Sequence, residues 1–326
     1  MSPGSGIFTL AAALALLSAA LAPAPASAQS YPSRPVRVIV PFAPGGGSDI
    51  LARLLGQKLQ QRLKQPFIVE NRAGGGGNIG AELGAKAAPD GYTLLVTTAA
   101  LAVNVSLVAK LGFDPAKDLI PITQIASAPL VLVIHPSVPA RTVAELVQVS
   151  RKRPGGINFG SNGSGSTSHL SGVLFNQMAG IQLTHVPYKG GASAMTAVLR
   201  GEVDMGFIAL FVGQAQIRSG RLRPLAVTTV KPSAALPGVP TMASFFRGFE
   251  TDNWFALFAP AGTPPEIIAT LYAEFVRALE LPDVTELLAR DGAVPVGSSP
   301  REFTDFFARE VEKYAKLVRE SGARAE

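Results

Sequence analysis

Short apolar runs alternate with segments of helical period along most of the 326-residue chain. The runs that read as strands are Val36–Val40, Phe67–Val69, Thr93–Thr97, Leu130–Ile134, Gly156–Phe159, Gln182–Val186, Met205–Ile208, Leu225–Val230 and Trp254–Ala259. Helical spacing of apolar residues marks Ile50–Leu63, Ile79–Ala87, Val143–Arg151, Leu170–Met178, Ala192–Arg200 and Phe211–Ser219 between them. Alternation this regular predicts an α/β fold with parallel sheets covered by helices on both faces. Past residue 260 the pattern turns helical, with Pro265–Ala278, Asp283–Arg290 and Pro300–Arg319. Helix starts carry their own signals. Thr142 with Glu145 three residues on forms a capping box, Thr263 precedes Pro264-Pro265, and Ser299-Pro300 opens the last helix.

The first residues stand apart from this pattern. Ile7 to Leu21 is an almost unbroken apolar run, broken by Pro23 and Pro25 and followed by Ala26-Ser27-Ala28. That small-x-small ending marks residues 1–28 as a signal peptide, although no Lys or Arg precedes the run. The run is shorter than the roughly 20 residues a spanning helix needs. Ile120 to Ile134 comes next in apolar length, but Pro121 and Pro129 interrupt it. An exported protein located in the periplasm, with no membrane insertion of the mature chain, is the expectation. About 300 residues then remain, more than one core usually serves. Ile125–Pro129 and Phe249–Pro260 read as crossings between two domains. The first domain would hold 29–127 plus 251–326, and the second, 128–250, would be inserted.

Composition narrows the chemistry. The chain has no Cys, which excludes a disulfide framework and thiol catalysis. Lys and Arg outnumber Asp and Glu by 29 to 23, a net +6. The longest basic run is Arg151-Lys152-Arg153 with no interleaved aromatics, so nucleic acid is not an expected partner. A modest positive field suits an anionic small molecule, by steering.

Two Gly- and Ser-rich loops each follow a strand and lead into a helix. One is Phe42-Ala43-Pro44-Gly45-Gly46-Gly47-Ser48-Asp49, and the other runs from Gly160-Ser161-Asn162-Gly163 through Ser166-Thr167 to His169. Such loops present unpaired backbone N–H groups and the positive end of a helix dipole, which together attract anions. Two copies predict a cleft that grips a small anion from both sides. Tyr188-Lys189-Gly190-Gly191 reads as a third loop or as an ordinary turn, with Tyr188 offering a hydroxyl and a flat wall. Phe42, Tyr188 and Phe207 would form the apolar wall. Trp254 fits either the core or the cleft.

Other motifs lead nowhere. Gly75 to Gly80 satisfies G-x-G-x-x-G, but no acid ends the next strand to hold a ribose, so a turn before a helix near Asn78 is the better reading. Ser166 and His169 lie close, yet no G-x-S-x-G elbow exists, and His169 is expected to cap or pack. His135, His169 and His185 lack metal-ligand spacing. No enzyme activity, cofactor or metal is expected.

Six motifs in order resemble one family. They are Val40–Asp49, Val69-Glu70-Asn71-Arg72-Ala73-Gly74-Gly75, Pro89–Leu95, Gly160 through Leu170, Val186-Pro187-Tyr188-Lys189-Gly190 and Ala259–Pro264. Each is short, but together they span nearly the whole chain. They are similar to the substrate-binding proteins of tripartite tricarboxylate transporters, the Bug family. The resemblance implies a two-domain periplasmic binding protein fold, type II-like. Each domain would be a mainly parallel sheet flanked by helices, with the ligand cleft between them. It implies a small carboxylate as ligand, transient contact with membrane transporter subunits, and a monomer. It places one ligand carboxylate on Phe42, Ala43, Pro44, Gly45, Gly46 and Gly47, with Ser48 and Asp49 at the helix start. It assigns the second domain's share to Ser161, Asn162, Gly163, Ser166 and Thr167, and a further loop to Thr97, Thr98 and Ala99. Many relatives carry an acid where this chain has Ile208-Ala209, which argues against an amino-acid ligand. A protein of the same fold that signals ligand to a sensor partner is the alternative.

Overall fold

The computed structural model describes residues 31–290 and 292–321, so the expected signal peptide lies outside the described residues. From Arg34 on, strands join in the order β2-β1-β3-β9-β4-β7-β5-β6, with β8 and β10 (Val294–Pro295) also paired to β4. The first half of the sheet is built from β1 (Val36–Val40), β2 (Phe67–Asn71) and β3 (Thr93–Thr98). β1 pairs in parallel with both neighbours, Val38 facing Val69 on one side and Leu94 on the other. The far half is built from β5 (Asn158–Ser161), β6 (Thr184–Pro187) and β7 (Met205–Ala209), also parallel.

Two long strands join the halves. β4 (Leu119–Ile134) contains the first segment expected to cross, β9 (Asp252–Pro260) covers all but residues 249–251 of the second, and the two pair with each other from Leu119↔Pro260 to Pro129↔Asp252. This pairing is antiparallel, as are β3 with β9 and β4 with β7 and β8 (Arg223–Val227). The sheet is therefore mixed rather than parallel throughout. The reason is topological: one strand leaves the first half and the other returns to it, so side by side they must run in opposite directions. The register shifts between Pro121 and Thr123, where proline has no N–H for the ladder.

β4 is buried on both faces, and its pleat feeds two cores. Leu130, Leu132 and Ile134 pack with Phe159, Phe175, Phe207 and Phe249. Val131 and Val133 pack with Ala194, Val198 and Ile208 on the other side. Period-two alternation of this kind places successive side chains on opposite faces. A third cluster holds Ile39, Leu95, Trp254, Phe258, Phe303 and Tyr314. Trp254 belongs to this core: it is fully buried, its Nε1 donates to Glu310 Oε2 at 2.8 Å, and Phe303, Phe306 and Phe307 meet it edge-on.

The helices in chain order are α1 (Gly47–Leu63), α2 (Asn78–Ala85), α3 (Ala100–Leu107), the short α4 (Pro115–Asp118), α5 (Val143–Lys152), α6 (Thr167–Ala179), α7 (Gly191–Leu199), α8 (Leu210–Arg218), α9 (Pro265–Leu279), α10 (Pro282–Arg290) and α11 (Pro300–Ser321). Two of the expected helix starts are capped: Thr142 Oγ1 accepts from Glu145 N at 3.1 Å, and Ser299 and Glu302 cap each other reciprocally. Thr263 is not a cap, since its hydroxyl donates to Pro260 O at 2.8 Å and Pro264 stands at the N-cap position. α3 is additional to the sequence reading, because it is apolar all round and has no amphipathic stripe. α1 and α6 begin three residues earlier than their apolar spacing suggests, at Gly47 and Thr167. Gly47, Ser48, Asp49, Thr167, Ser168 and His169 are thus first-turn helix residues. Among the described residues, no helix is long and apolar enough to cross a membrane.

Candidate functional site

The first glycine loop leaves β1 and enters α1 at the N-cap Gly46, which has no side chain to cap with. Asp49 supplies the missing acceptor. Its Oδ2 accepts from Gly45 N at 2.9 Å, and its Oδ1 accepts from Arg53 Nε and Asn71 Nδ2, both at 3.0 Å. Asn71 Nδ2 also donates to Phe42 O at 3.0 Å, tying the loop to the end of β2. Burial pushes the Asp49 carboxyl upward, but the hydrogen bonds from Arg53, Gly45 and Asn71 outweigh it and hold the pKa below the usual value.

The second loop is held without charge. Ser161 Oγ accepts from Gly163 N at 3.1 Å and lies 2.7 Å from His185 Nε2. Asn162 N donates to Ser168 Oγ at 2.9 Å, and Gly165 N to His169 Nδ1 at 3.2 Å. Ser166 Oγ, the N-cap of α6, accepts from His169 N at 3.2 Å. The His169 ring stacks on His185 with centroids 4.1 Å apart, and His185 stacks on Phe159 in turn. Burial lowers the His185 pKa to about 4, so its imidazole is neutral near pH 7 and can accept a hydrogen bond from the Ser161 hydroxyl. His169 therefore packs and orders the loop.

Between the halves lies a cavity of about 290 Å³, lined by Phe42, Gly74 to Gly77, Asn162, Gly163, Ser164, Pro187, Tyr188 and Lys189. The loops around it touch. Ala43 N donates to Lys189 O at 2.9 Å, and Tyr188 N to Ser161 O at 3.0 Å. A Cβ added to Gly76, whose φ is +64°, would overlap the Ser164 carbonyl oxygen, so this crossing requires glycine. Helices α1, α2, α6 and α7 all start in or directly beside these loops. Among the described residues, no Asp or Glu lines the cavity. Burial and the nearby Glu202 carboxylate raise the Tyr188 pKa, which keeps its phenol a neutral donor.

The expected residues distribute unevenly. Phe42, Asn162, Gly163 and Tyr188 line the cavity. Ala43, Gly45 and Gly46 lie beside it, closed against Lys189 to Ala192, while Pro44 is exposed. Gly47 faces Phe211 and Phe255, and Ser48 and Asp49 are buried in the first turn of α1. Ser161, Ser166 and Thr167 are buried behind the second loop. Thr97 borders a small void behind Gly76 and Gly77, Thr98 Oγ1 accepts from Ala100 N, and Ala99 N donates to Trp254 O. Phe207 is a correction: it is fully buried, stacks on Phe249 and meets Phe175 edge-on, inside the core rather than on the cavity wall. Ile208 and Ala209 do not line the cavity either, so their apolar character has no direct bearing on what it admits.

Sequence reasoning set Gly75 to Gly77 aside as a turn and named Lys189 only as part of the possible third loop, so neither stood among the expected site residues. The four-glycine run was the available signal, and all four have positive φ. A larger cavity of about 420 Å³ is lined by Pro129, Lys231, Pro232, Ala235, Ala289 and Pro295 among others. Its wall is mainly apolar, with Thr229, Lys231 and Ser233 as its polar side chains, and it shares no residue with the glycine loops. Among the described residues, no group of His, Asp or Glu could hold a metal ion.

Comparison with known proteins places this architecture. Residues 51–323 match the family model described as "Tripartite tricarboxylate transporter family receptor". The protein BugT of Bordetella pertussis is 40% identical over 322 residues, covering 98% of this chain and 96% of its own. The structure of R. palustris Rpa4515 with adipate matches with a TM-score of 0.87 at 37% identity, covering 90% of this chain and 99% of that one. MatC from Rhodopseudomonas palustris, with bound malate, gives 0.84 at 32% identity over 88% of this chain and 100% of that one. The chain has the fold of the periplasmic binding proteins, and it belongs to the tripartite tricarboxylate transporter receptor family.

Proposed function

We propose that this protein captures a small carboxylate in the periplasm, in a cleft between two domains, and delivers it to a membrane transporter. The observation that carries the reading is the cavity between the glycine loops, walled by backbone from both halves and free of acidic side chains. Loop amides and helix N-termini recognise a carboxylate without a dedicated arginine, directly or through water. A cavity of about 290 Å³ suits an acid with a short chain, since each water in the liquid occupies about 30 Å³. The relatives that bind adipate and malate support the same ligand class.

In this reading 29–127 with 251–326 form one domain and 128–250 the other, and β4 and β9 flex between them. The Ala43–Lys189 hydrogen bond and the Gly76–Ser164 approach close the cleft. Entry requires these contacts to part, and ligand then favours the closed form because only that form offers both loops. A transporter subunit would read the closed form.

The test is thermal. Protein stripped of co-purified ligand is melted against a panel of mono-, di- and tricarboxylates and their neutral amides. Binding to the native state at a hundredfold excess over Kd stabilises it by about 2.7 kcal/mol. The expected result is a clear rise in Tm for one or a few acids and none for their amides. Equal shifts for acids and amides, or none at all, would remove the carboxylate reading.

A further inference from the structure

Asn104 breaks the pattern of its helix. α3 buries Ala100, Leu101, Ala102, Val103 and Leu107, and Asn104 is 1% exposed among them. Its Nδ2 donates to Gly76 O at 3.3 Å, while its Oδ1 is buried with no hydrogen-bond partner. A buried acceptor left unpaired is destabilising, so for stability alone an apolar residue of similar volume would serve better here. Residues that break the local rule in this way concentrate at functional sites.

The surroundings show what the amide does. Gly76 belongs to the loop that lines the cavity from the first half of the sheet, and Gly165 belongs to the loop from the second. A Cβ added to Gly165 would overlap Asn104 Oδ1 and stand 3.0 Å from its Cγ. Gly165 has a φ of +82°, and its N–H donates to His169 Nδ1. One side chain thus touches both glycine loops beneath the line where Gly76 meets Ser164.

We propose that Asn104 is a positioning residue for the cavity, coupling the Gly74–Gly77 loop to the Ser164–Gly165 loop so that the two set the wall of the ligand site together. The proposal rests on the carboxylate-cleft reading for its meaning in binding, but the coupling itself can be read without ligand. Asn104 makes its hydrogen bond within the first half and its contact with Gly165 across to the second. Closure therefore brings Gly165 against a group whose position is already fixed by Gly76.

Two measurements test this on the full mature chain. The first is hydrogen exchange of the empty protein, comparing wild type with Asn104→Leu, which keeps the branched shape and removes both polar atoms. Faster exchange is expected together in 74–78 and 163–166, with β1 and β5 unchanged. A change confined to 74–78, or none, would overturn the coupling. The second is a double-mutant cycle of Asn104→Ala and Gly165→Ala, read as Kd for whichever acid gives the largest thermal shift. Gly165→Ala is expected to weaken binding about tenfold in the wild-type background and only two- to threefold when Asn104 is already trimmed. Additive effects within twofold would overturn the proposal. If wild type binds no acid, the carboxylate reading falls while the exchange experiment still decides the coupling.

Discussion

The two glycine loops share a topology and differ in how they are held. The first is pinned by a charge: Asp49 accepts from Gly45, Arg53 and Asn71 at the start of α1. The second is pinned by neutral groups, the Ser161, Ser166 and Ser168 hydroxyls and the stacked His169 and His185. The difference bears on anion binding. A carboxylate in the first turn already compensates the positive end of α1. The start of α6 has no acidic residue in its first turn, so its dipole stays available. Under the proposed function, the first loop would contribute a rigid shape and Phe42, and the second more of the attraction.

The largest effect should come where the loops meet. Gly76→Ala puts a Cβ into the Ser164 carbonyl at a left-handed φ, so the closed cavity cannot form without displacement. Affinity should fall on the order of 100-fold, about 2.7 kcal/mol, while the empty protein melts within a few degrees of wild type. Calorimetric titration checks this. Unchanged affinity would mean that the two loops do not close over the ligand together.

Asp49→Asn tests the charged pin. It keeps the shape and weakens three hydrogen bonds that involve a charge, so stability should drop by about 2–3 kcal/mol in chemical denaturation. The pH dependence has a definite sign. A carboxyl whose folded pKa is depressed contributes stability above its unfolded value, and that contribution is lost as pH falls through the folded value, below 3.8. The variant should therefore lose less stability than wild type under acid. A variant as stable as wild type at neutral pH would remove the asymmetry between the loops.

The smallest effect concerns the neutral pin. The His185 pKa is lowered from 6.5 to about 4 by burial, so between those values the unfolded chain binds the extra proton. Stability from this group is complete above pH 6.5 and declines as pH falls toward 4. Tm measured across that range should slope for wild type and flatten for His185→Gln. Parallel slopes would show that the imidazole titrates in the folded protein as it does in the unfolded one.

Much of this was legible from residue pattern. Apolar runs bounded by Pro and Gly located the strands, because a strand buried on both faces needs a continuous run. Strand direction was not legible, and the antiparallel centre follows from the path of β4 and β9 rather than from their composition. α3 stayed hidden because its apolar residues show no stripe. In the site, Phe42, Asn162 and Tyr188 stood out as side chains in recognisable loops, and Gly163 with them. Gly74 to Gly77 did not, because their contribution is backbone shape, visible only once Ser164 is known to lie against them. Phe207 was misplaced because alternation along β7 does not tell which face meets the cleft and which the core.

The most direct test of the whole account is a crystal structure of the protein with the acid that gives the largest thermal shift. The account expects the ligand between Gly74–Gly77 and Asn162–Ser164, bordered by Phe42 and Tyr188. Density for the acid in the apolar cavity beside Pro129, Lys231 and Ala289, with the glycine loops empty, would contradict it.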